Sequence, residues 1–141
     1  MARPQKVRRL LSPPLMVGFK PFGMPRQSSE AVKITFEEYE SIKLVNYDRL
    51  SQDEAASLIN VSRPTFTRIY NRALKSIAEA FVEGKAIEIG GGNGEFDTDW
   101  YRCSHCHKLI AGLESHFRCS DCKYYSKSEL KRLVPVDDDN Q

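Results

Sequence analysis

Four cysteines in the last third of the chain have the spacing of a metal site. Cys103-x2-Cys106 is followed, after twelve residues, by Cys119-x2-Cys122. A structural zinc ion takes four ligands in a tetrahedron, and each C-x2-C turn can present two thiolates on one side. We therefore expect the four thiolates to bind one structural zinc ion. Because such a shell leaves no coordination position open, zinc catalysis is not expected.

The two cysteine pairs lie in similar hexapeptides, YRCSHC at 101–106 and FRCSDC at 117–122. Two short strands that each end in a C-x2-C turn are typical of a zinc ribbon, which a module of this size needs for its stability. His105, His107 and His116 are close enough for one of them to replace a cysteine, so a mixed shell is an alternative. Redox-active dithiols are a second alternative, although the expected βαβ context is missing.

A second set of residues is suited to binding a polyanion. Residues 62–78 contain Arg63, Arg68, Arg72 and Lys75 and no acid. Basic residues on one side of a helix that follows a tight turn are typical of a DNA reader. The candidates for base contacts are Arg63, Thr65, Thr67 and Arg68. The candidates for phosphate contacts are Ser51, Gln52, Ser62, Arg72 and Lys75.

These side chains require two helices joined by a turn between Leu50 and Glu83. Ser51 starts a capping box with Glu54, which predicts the beginning of the first helix. Asn60 enters the left-handed region cheaply and predicts the turn. Ser62 is the expected N-cap of the second helix, with a proline in its first turn, and Gly84 marks its end.

Apolar residues at helical spacing predict which side of the second helix faces the core. They are Phe66, Ile69, Tyr70, Ala73, Ile77 and Phe81. A preceding helix is predicted to begin after Thr35, with acids in its first turns that suit a scaffold better than a reader. Short extended segments are expected at 31–34 and 85–89, and a short final helix at 126–134.

The charge and composition predict five segments along the chain. Residues 1–29 form a basic arm, in which Arg3, Arg8 and Arg9 are candidates for DNA contacts. A helix-turn-helix domain follows at 30–89, a Gly-rich linker at 90–99, the zinc-ribbon-like module at 100–134 and an acidic tail at 135–141.

The composition bounds the class of protein. Hydrophobic residues make up 40% of the chain and charged residues 28%, which is typical of a soluble globular protein. No apolar run suggests a membrane span and no signal peptide is recognised, so we expect a cytoplasmic protein. No Ser-His-Asp pattern, H-E-x-x-H or P-loop is found, so we do not expect an enzyme.

The chain resembles an uncharacterised family of small prokaryotic proteins predicted to bind DNA, whose helix-turn-helix is similar to the fourth region of primary sigma factors. The matching segments are Arg3-Pro4 with Arg8-Arg9, FKPFGMP at 19–25, LSQDEAA at 50–56, VSRPTFTRI at 61–69 and VEGKAI at 82–87. The resemblance implies DNA binding, and a zinc-ribbon-like extension in some members. This chain departs from the usual pattern at Asn60, where many such turns have Gly, and at Lys123, where a Gly usually follows the cysteine.

The sequence thus predicts a mainly α protein with a small C-terminal zinc ribbon. Its expected function is that of a transcriptional regulator that reads the major groove with the helix starting at Ser62. Its expected partner is double-stranded DNA, with RNA polymerase or another protein as a further candidate and a homodimer as a candidate assembly. The alternative is an adaptor that binds RNA or protein through the ribbon.

Overall fold

The structure is a computed structural model that describes residues 8–25, 30–96, 98–104, 106–111 and 130–133. Its helices are α1 (Phe36–Ile42), a π-helical segment (Lys43–Tyr47), α2 (Gln52–Leu58) and α3 (Arg63–Glu83). Its strands are β1 (Arg8–Leu10), β2 (Gly18–Phe19), β3 (Ala31–Ile34), β4 (Ala86–Ile89), β5 (Gly94–Phe96), β6 (Trp100–Cys103), β7 (Leu109–Ala111) and β8 (Leu130–Leu133). The predictions for Arg3, His105, His116, Cys119, Cys122 and the tail 135–141 lie outside the described residues.

The prediction of a mainly α protein is wrong. Helices take 40% of the described residues and strands take 26%, in three small sheets. Most of these strands are only two to four residues long and pair with distant segments, so they leave little alternation in the sequence. The 21-residue helix α3 dominates the periodicity of the chain, which favoured the α class.

The core lies where α2 and the first half of α3 pack against the π-helical segment. Its fully or nearly buried members are Leu44, Ala55, Ala56, Ile59, Phe66 and Ile69. The ring of Phe66 stacks on that of Tyr70, with centroids 6.3 Å apart. The Tyr70 hydroxyl donates to the side-chain oxygen of Asn46, 2.9 Å away, which ties α3 to the end of the π-helical segment. The predicted inward positions in the first half of α3 are therefore confirmed.

The second half of α3 differs from the prediction at Phe81. This residue was expected to face the core, but its side chain is 88% exposed, whereas Ala80 is only 3% exposed. The core side is narrow here because the strands that pack on α3 end near Ala80. An aromatic ring therefore lies on the open side of the helix.

The helix α1 begins at the capping residue predicted from the sequence. The Thr35 hydroxyl accepts from the Glu38 amide at 3.1 Å. The glycine-rich segment closes over this end, because the Phe36 amide donates to the Gly91 carbonyl at 3.2 Å. Gly92 has φ of +97°, and a Cβ there would lie 2.4 Å from the Glu37 carboxylate, so the close approach requires glycine.

Two of the sheets tie the N-terminal segment to the residues that follow α3. The strand β1 pairs with β5 in parallel, with Leu10 opposite Phe96. The strand β4 lies between β2, which is antiparallel to it, and β3, which is parallel to it. The predicted extended segments at 31–34 and 85–89 are present as β3 and β4. The segment 90–99, expected to be a linker, contains β5 and contacts α1.

The third sheet is antiparallel, in the order β7-β6-β8. Residues 130–133, expected in a short helix, form β8 on the free side of β6. Arg102 on β6 is only 8% exposed and donates to three carbonyls, those of Pro14 at 2.8 Å, Leu15 at 3.1 Å and His107 at 2.9 Å. Burial lowers the pKa of this guanidinium from its ordinary value. Arg102 thereby fastens the N-terminal segment to this sheet.

No helix in the described part of the chain is long and apolar enough to cross a lipid bilayer.

Candidate nucleic-acid interface

The turn between α2 and α3 is fixed by backbone hydrogen bonds. Asn60 has φ of +59°, in the left-handed region predicted for it. Its amide donates to the Ser57 carbonyl at 3.2 Å, and the Val61 amide donates to the Ala56 carbonyl at 3.0 Å. This pair of bonds is a Schellman motif, which satisfies the last carbonyls of α2. The partly buried Val61 packs on the core, so the turn sets the entry of α3 rigidly.

Both helices begin at the predicted serines. The Ser51 hydroxyl accepts from the Glu54 amide at 3.1 Å and also bonds the Glu54 carboxylate. The Ser62 hydroxyl accepts from the Thr65 amide at 3.4 Å and lies 2.9 Å from the Thr65 hydroxyl. Ser51 and Ser62 are exposed, but their hydroxyls serve the caps first.

An ion pair joins the first turns of the two helices. The Arg63 guanidinium lies 2.8 Å from the Asp53 carboxylate, and the side chains are 49% and 73% exposed. An exposed pair of this kind contributes at most about 1 kcal/mol to stability. Its larger effect is electrostatic, because Asp53 holds one of the predicted base-contacting residues and adds a negative charge beside it.

A second contact between the helices involves two further candidates. The Thr67 hydroxyl donates to the Gln52 side-chain oxygen at 2.7 Å, and both residues are half-buried. The bond leaves the amide group of Gln52 with its two N–H donors. Thr67 therefore positions Gln52, whose donors suit a phosphate or a base acceptor.

Three predicted cations lie exposed along α3: Arg68, Arg72 and Lys75. The Arg68 Nε donates to the Pro64 carbonyl at 3.4 Å, which aligns the guanidinium with the first turns of α3. Arg72 acts on Glu38 of α1. Burial raises the pKa of the Glu38 carboxyl, while the bond from Thr35 and the charge of Arg72 oppose the rise.

The two described arginines of the predicted arm have different environments. Arg8 is ion-paired with Glu37, whose side chain is 3% exposed, and the second oxygen of Glu37 accepts from the Asn93 amide. Arg9 is exposed, and its amide donates to the Ile59 carbonyl at 3.0 Å. The arm therefore reaches the surface beside the turn through Arg9, while Arg8 is bound within the fold.

A buried acid lies behind this surface, where α1 continues into the π-helical segment. Glu40 is 1% exposed and its Oε1 has no hydrogen-bond partner. The nearest cation is the Lys43 ammonium, 3.9 Å from that oxygen. Burial raises the pKa of Glu40 above its ordinary value, Lys43 opposes the rise, and Asp48 adds to it.

The described pair of cysteines lies in the hairpin formed by β6 and β7. Cys103 is fully buried and Cys106 is half-buried. The His107 amide donates to the Cys103 carbonyl at 2.9 Å, and the Cys103 amide donates to the Lys108 carbonyl at 3.1 Å. His107 has φ of +63°, the left-handed conformation that glycine usually supplies after a C-x2-C pair. His107 is exposed, and no group of three potential ligands is found within the described residues, which exclude Cys119 and Cys122.

Sequence reasoning missed three residues that shape the site. Asp53 could have been found, because it faces the Arg63 turn from a known capping box. Glu37 and Arg102 had no such signal, since their partners lie far away in the sequence.

Comparison with known proteins gives the family of the chain. Residues 1–98 match the model of a family described as a protein of unknown function, DUF134. The chain belongs to the DUF134 family. The match includes β1 to β5 and all the helices described above, and it ends before β6.

Several relatives in the DUF134 family bear the name UPF0251 protein. One from Chloroherpeton thalassium is 35% identical over 133 residues, which are 93% of this chain and 88% of the relative. One from Thermoanaerobacter sp. is 46% identical over 93 residues, 66% of this chain and 82% of the relative. One from Methanothermobacter thermautotrophicus is 36% identical over 123 residues, 86% of this chain and 64% of the relative. No solved structure matches the chain significantly.

Proposed function

We propose that this protein binds double-stranded DNA, as a transcriptional regulator, by placing the first turns of α3 in the major groove. The observation that carries the proposal is the arrangement of α2, the Asn60 turn and α3. Two helices joined by a rigid tight turn, with exposed cations on the second, match a helix-turn-helix reader. The similarity to the fourth region of sigma factors points to the same function.

The contacts divide by position along α3. Arg68 and Thr65 lie on the first two turns and are the base-contacting candidates, with Gln52 beside them on α2. Arg72 and Lys75 lie farther along the exposed side and suit phosphates. Arg63 joins them only when it exchanges Asp53 for the phosphate backbone. Arg9, exposed beside the turn, is the arm residue best placed to reach DNA.

We also propose that the C-terminal module holds one structural zinc ion. The hairpin with Cys103 and Cys106 supports it, because the left-handed His107 lets the chain turn back directly after the second thiol. Cys119 and Cys122 would complete a tetrahedral shell of soft ligands. The ion would supply the stability that so small a module lacks, with no part in chemistry.

Selection of bound duplexes from a random pool, followed by a fluorescence titration on a selected duplex, tests the DNA proposal. Arg68→Ala should cost about 1–3 kcal/mol of binding and relax the preference at one position. Lys131→Ala, an exposed cation on β8, is the matched control and should bind as the parent does. If no sequence is enriched and Arg68→Ala binds like the parent, α3 is not a DNA reader, and a protein or RNA partner becomes the better account.

A further inference from the structure

An apolar stripe runs along the second half of α3 on a side that the described fold leaves open. We define it by Leu74, Ala78, Phe81 and Val82, which are all exposed, Phe81 by 88% and Val82 by 80%. Thr67 lies on the same line of the helix, seven residues before Leu74. There α2 covers the line through the bond from Thr67 to Gln52. The line is therefore covered at its start and open from Leu74 onward.

Neighbouring residues enlarge the apolar surface at the end of α3. The side chain of Met24 packs at Gly84, where a Cβ would lie 2.8 Å from its sulfur. Phe22, two residues earlier, is 94% exposed. Exposed aromatic and aliphatic side chains grouped in this way are typical of a protein interface.

The charges beside the stripe are complementary to themselves. Lys75, Glu79 and Glu83 follow one another at four-residue spacing along one edge of it. The two acids lie 3.3 and 3.4 Å from Lys85, which is also 3.9 Å from Glu30, so three carboxylates share one ammonium there. The edge is thus positive at its start and negative at its end.

We propose that the stripe binds the same stripe of a second copy of this chain, with the two α3 helices antiparallel. In this arrangement Lys75 of each chain lies beside the acidic end of the other, which a parallel pair would not give. A two-fold axis perpendicular to both helices also leaves their basic sides facing the same way. The partner is therefore a second copy of this chain, since only its edge carries the required order of charges.

The geometry agrees with the proposed function. Thr65 precedes Ala78 by thirteen residues, which is about 20 Å of helix at 1.5 Å per residue. A dimer centred near Ala78 would then separate its two reading ends by about 40 Å, and a crossing angle between the helices would shorten this towards the 34–36 Å of one DNA turn. This spacing rests on the proposed function, whereas the dimer itself does not.

Sedimentation velocity of the full chain without DNA tests the dimer over the concentrations that its solubility allows. The parent should associate into a dimer, and Phe81→Glu should raise its dissociation constant at least tenfold. Leu15→Glu is the matched control, because Leu15 is 85% exposed on another segment, and it should dimerise like the parent. A parent that stays monomeric, or a Phe81→Glu variant that dimerises unchanged, overturns the proposal.

A charge exchange gives a second test that a mere loss of apolar surface would not pass. Lys75→Glu should weaken the dimer, and adding Glu83→Lys should restore it, with circular dichroism confirming that α3 remains helical. Weakening without restoration contradicts the antiparallel arrangement. Since no DNA is present, these results are independent of the titration that tests DNA binding.

Discussion

Arg8→Ala should destabilise the fold, because the Arg8 guanidinium is bound to a buried carboxylate. The side chains of Arg8 and Glu37 are 15% and 3% exposed. In the variant, Glu37 would keep only the amide of Asn93 as a donor. A carboxylate left in a buried site with one neutral donor is poorly solvated, so the folded state rises in free energy.

The magnitude follows from the burial of the two partners. Removing one partner of a buried ion pair costs about 3–5 kcal/mol, and the remaining Asn93 donor places Arg8→Ala at the lower end, about 3 kcal/mol. Glu37→Gln leaves the more exposed partner behind and should cost about 2 kcal/mol. The double variant should cost less than the sum, with a coupling of about 1.5 kcal/mol, because the pair is lost only once.

Urea unfolding followed by circular dichroism measures these free energies. The control is Arg9→Ala, on the same strand but exposed, which should change stability by less than about 0.5 kcal/mol while weakening DNA binding. If Arg8→Ala keeps the parent's stability and loses DNA affinity instead, then Arg8 leaves Glu37 to contact DNA. The fold would then have been described incorrectly at this pair.

Three further predictions concern the interface, the buried acid and the metal. Asp53→Asn should tighten DNA binding two- to fivefold and steepen the salt dependence by about 0.9 per released phosphate contact, because Arg63 is freed; a titration against Glu88→Gln, an exposed acid on β4, checks this. Glu40→Gln should raise the free energy of unfolding at pH 7 by on the order of 1 kcal/mol, since the raised pKa means that the folded state binds a proton more tightly. The parent should therefore lose stability as the pH rises from the ordinary carboxyl pKa to the raised one, and urea unfolding between pH 4 and 8 should show a flatter profile for the variant. Cys103→Ser should remove the bound zinc, one ion per chain in the parent by elemental analysis, and lower the melting temperature; a parent without zinc contradicts the site.

The predictable parts of the fold were those with a local cause. Ser51, Asn60, Ser62 and Gly84 each mark a helix end through a bond or a dihedral angle within a few residues, and each was predicted at its position. The exposed cations of α3 followed from the spacing alone. What the chain does with them is a prediction still to be tested.

The parts that escaped prediction depend on distant residues. β1 pairs with β5 across more than eighty residues, and neither is long enough to alternate visibly. Arg8 read as a free cation because its partner, Glu37, belongs to another element. Phe81 fits the apolar periodicity of α3, but periodicity cannot show that the elements packing on the helix stop short of it.

The salt dependence of binding to a selected duplex tests the central claim most directly. If Arg9, Arg68, Arg72 and Lys75 meet the DNA as proposed, the logarithm of the binding constant should fall with the logarithm of the salt concentration with a slope of about −3 or steeper. Replacing Arg72 and Lys75 together by alanine should reduce that slope by about 2. A slope near zero in the parent, or one that the double replacement leaves unchanged, would contradict DNA binding through α3.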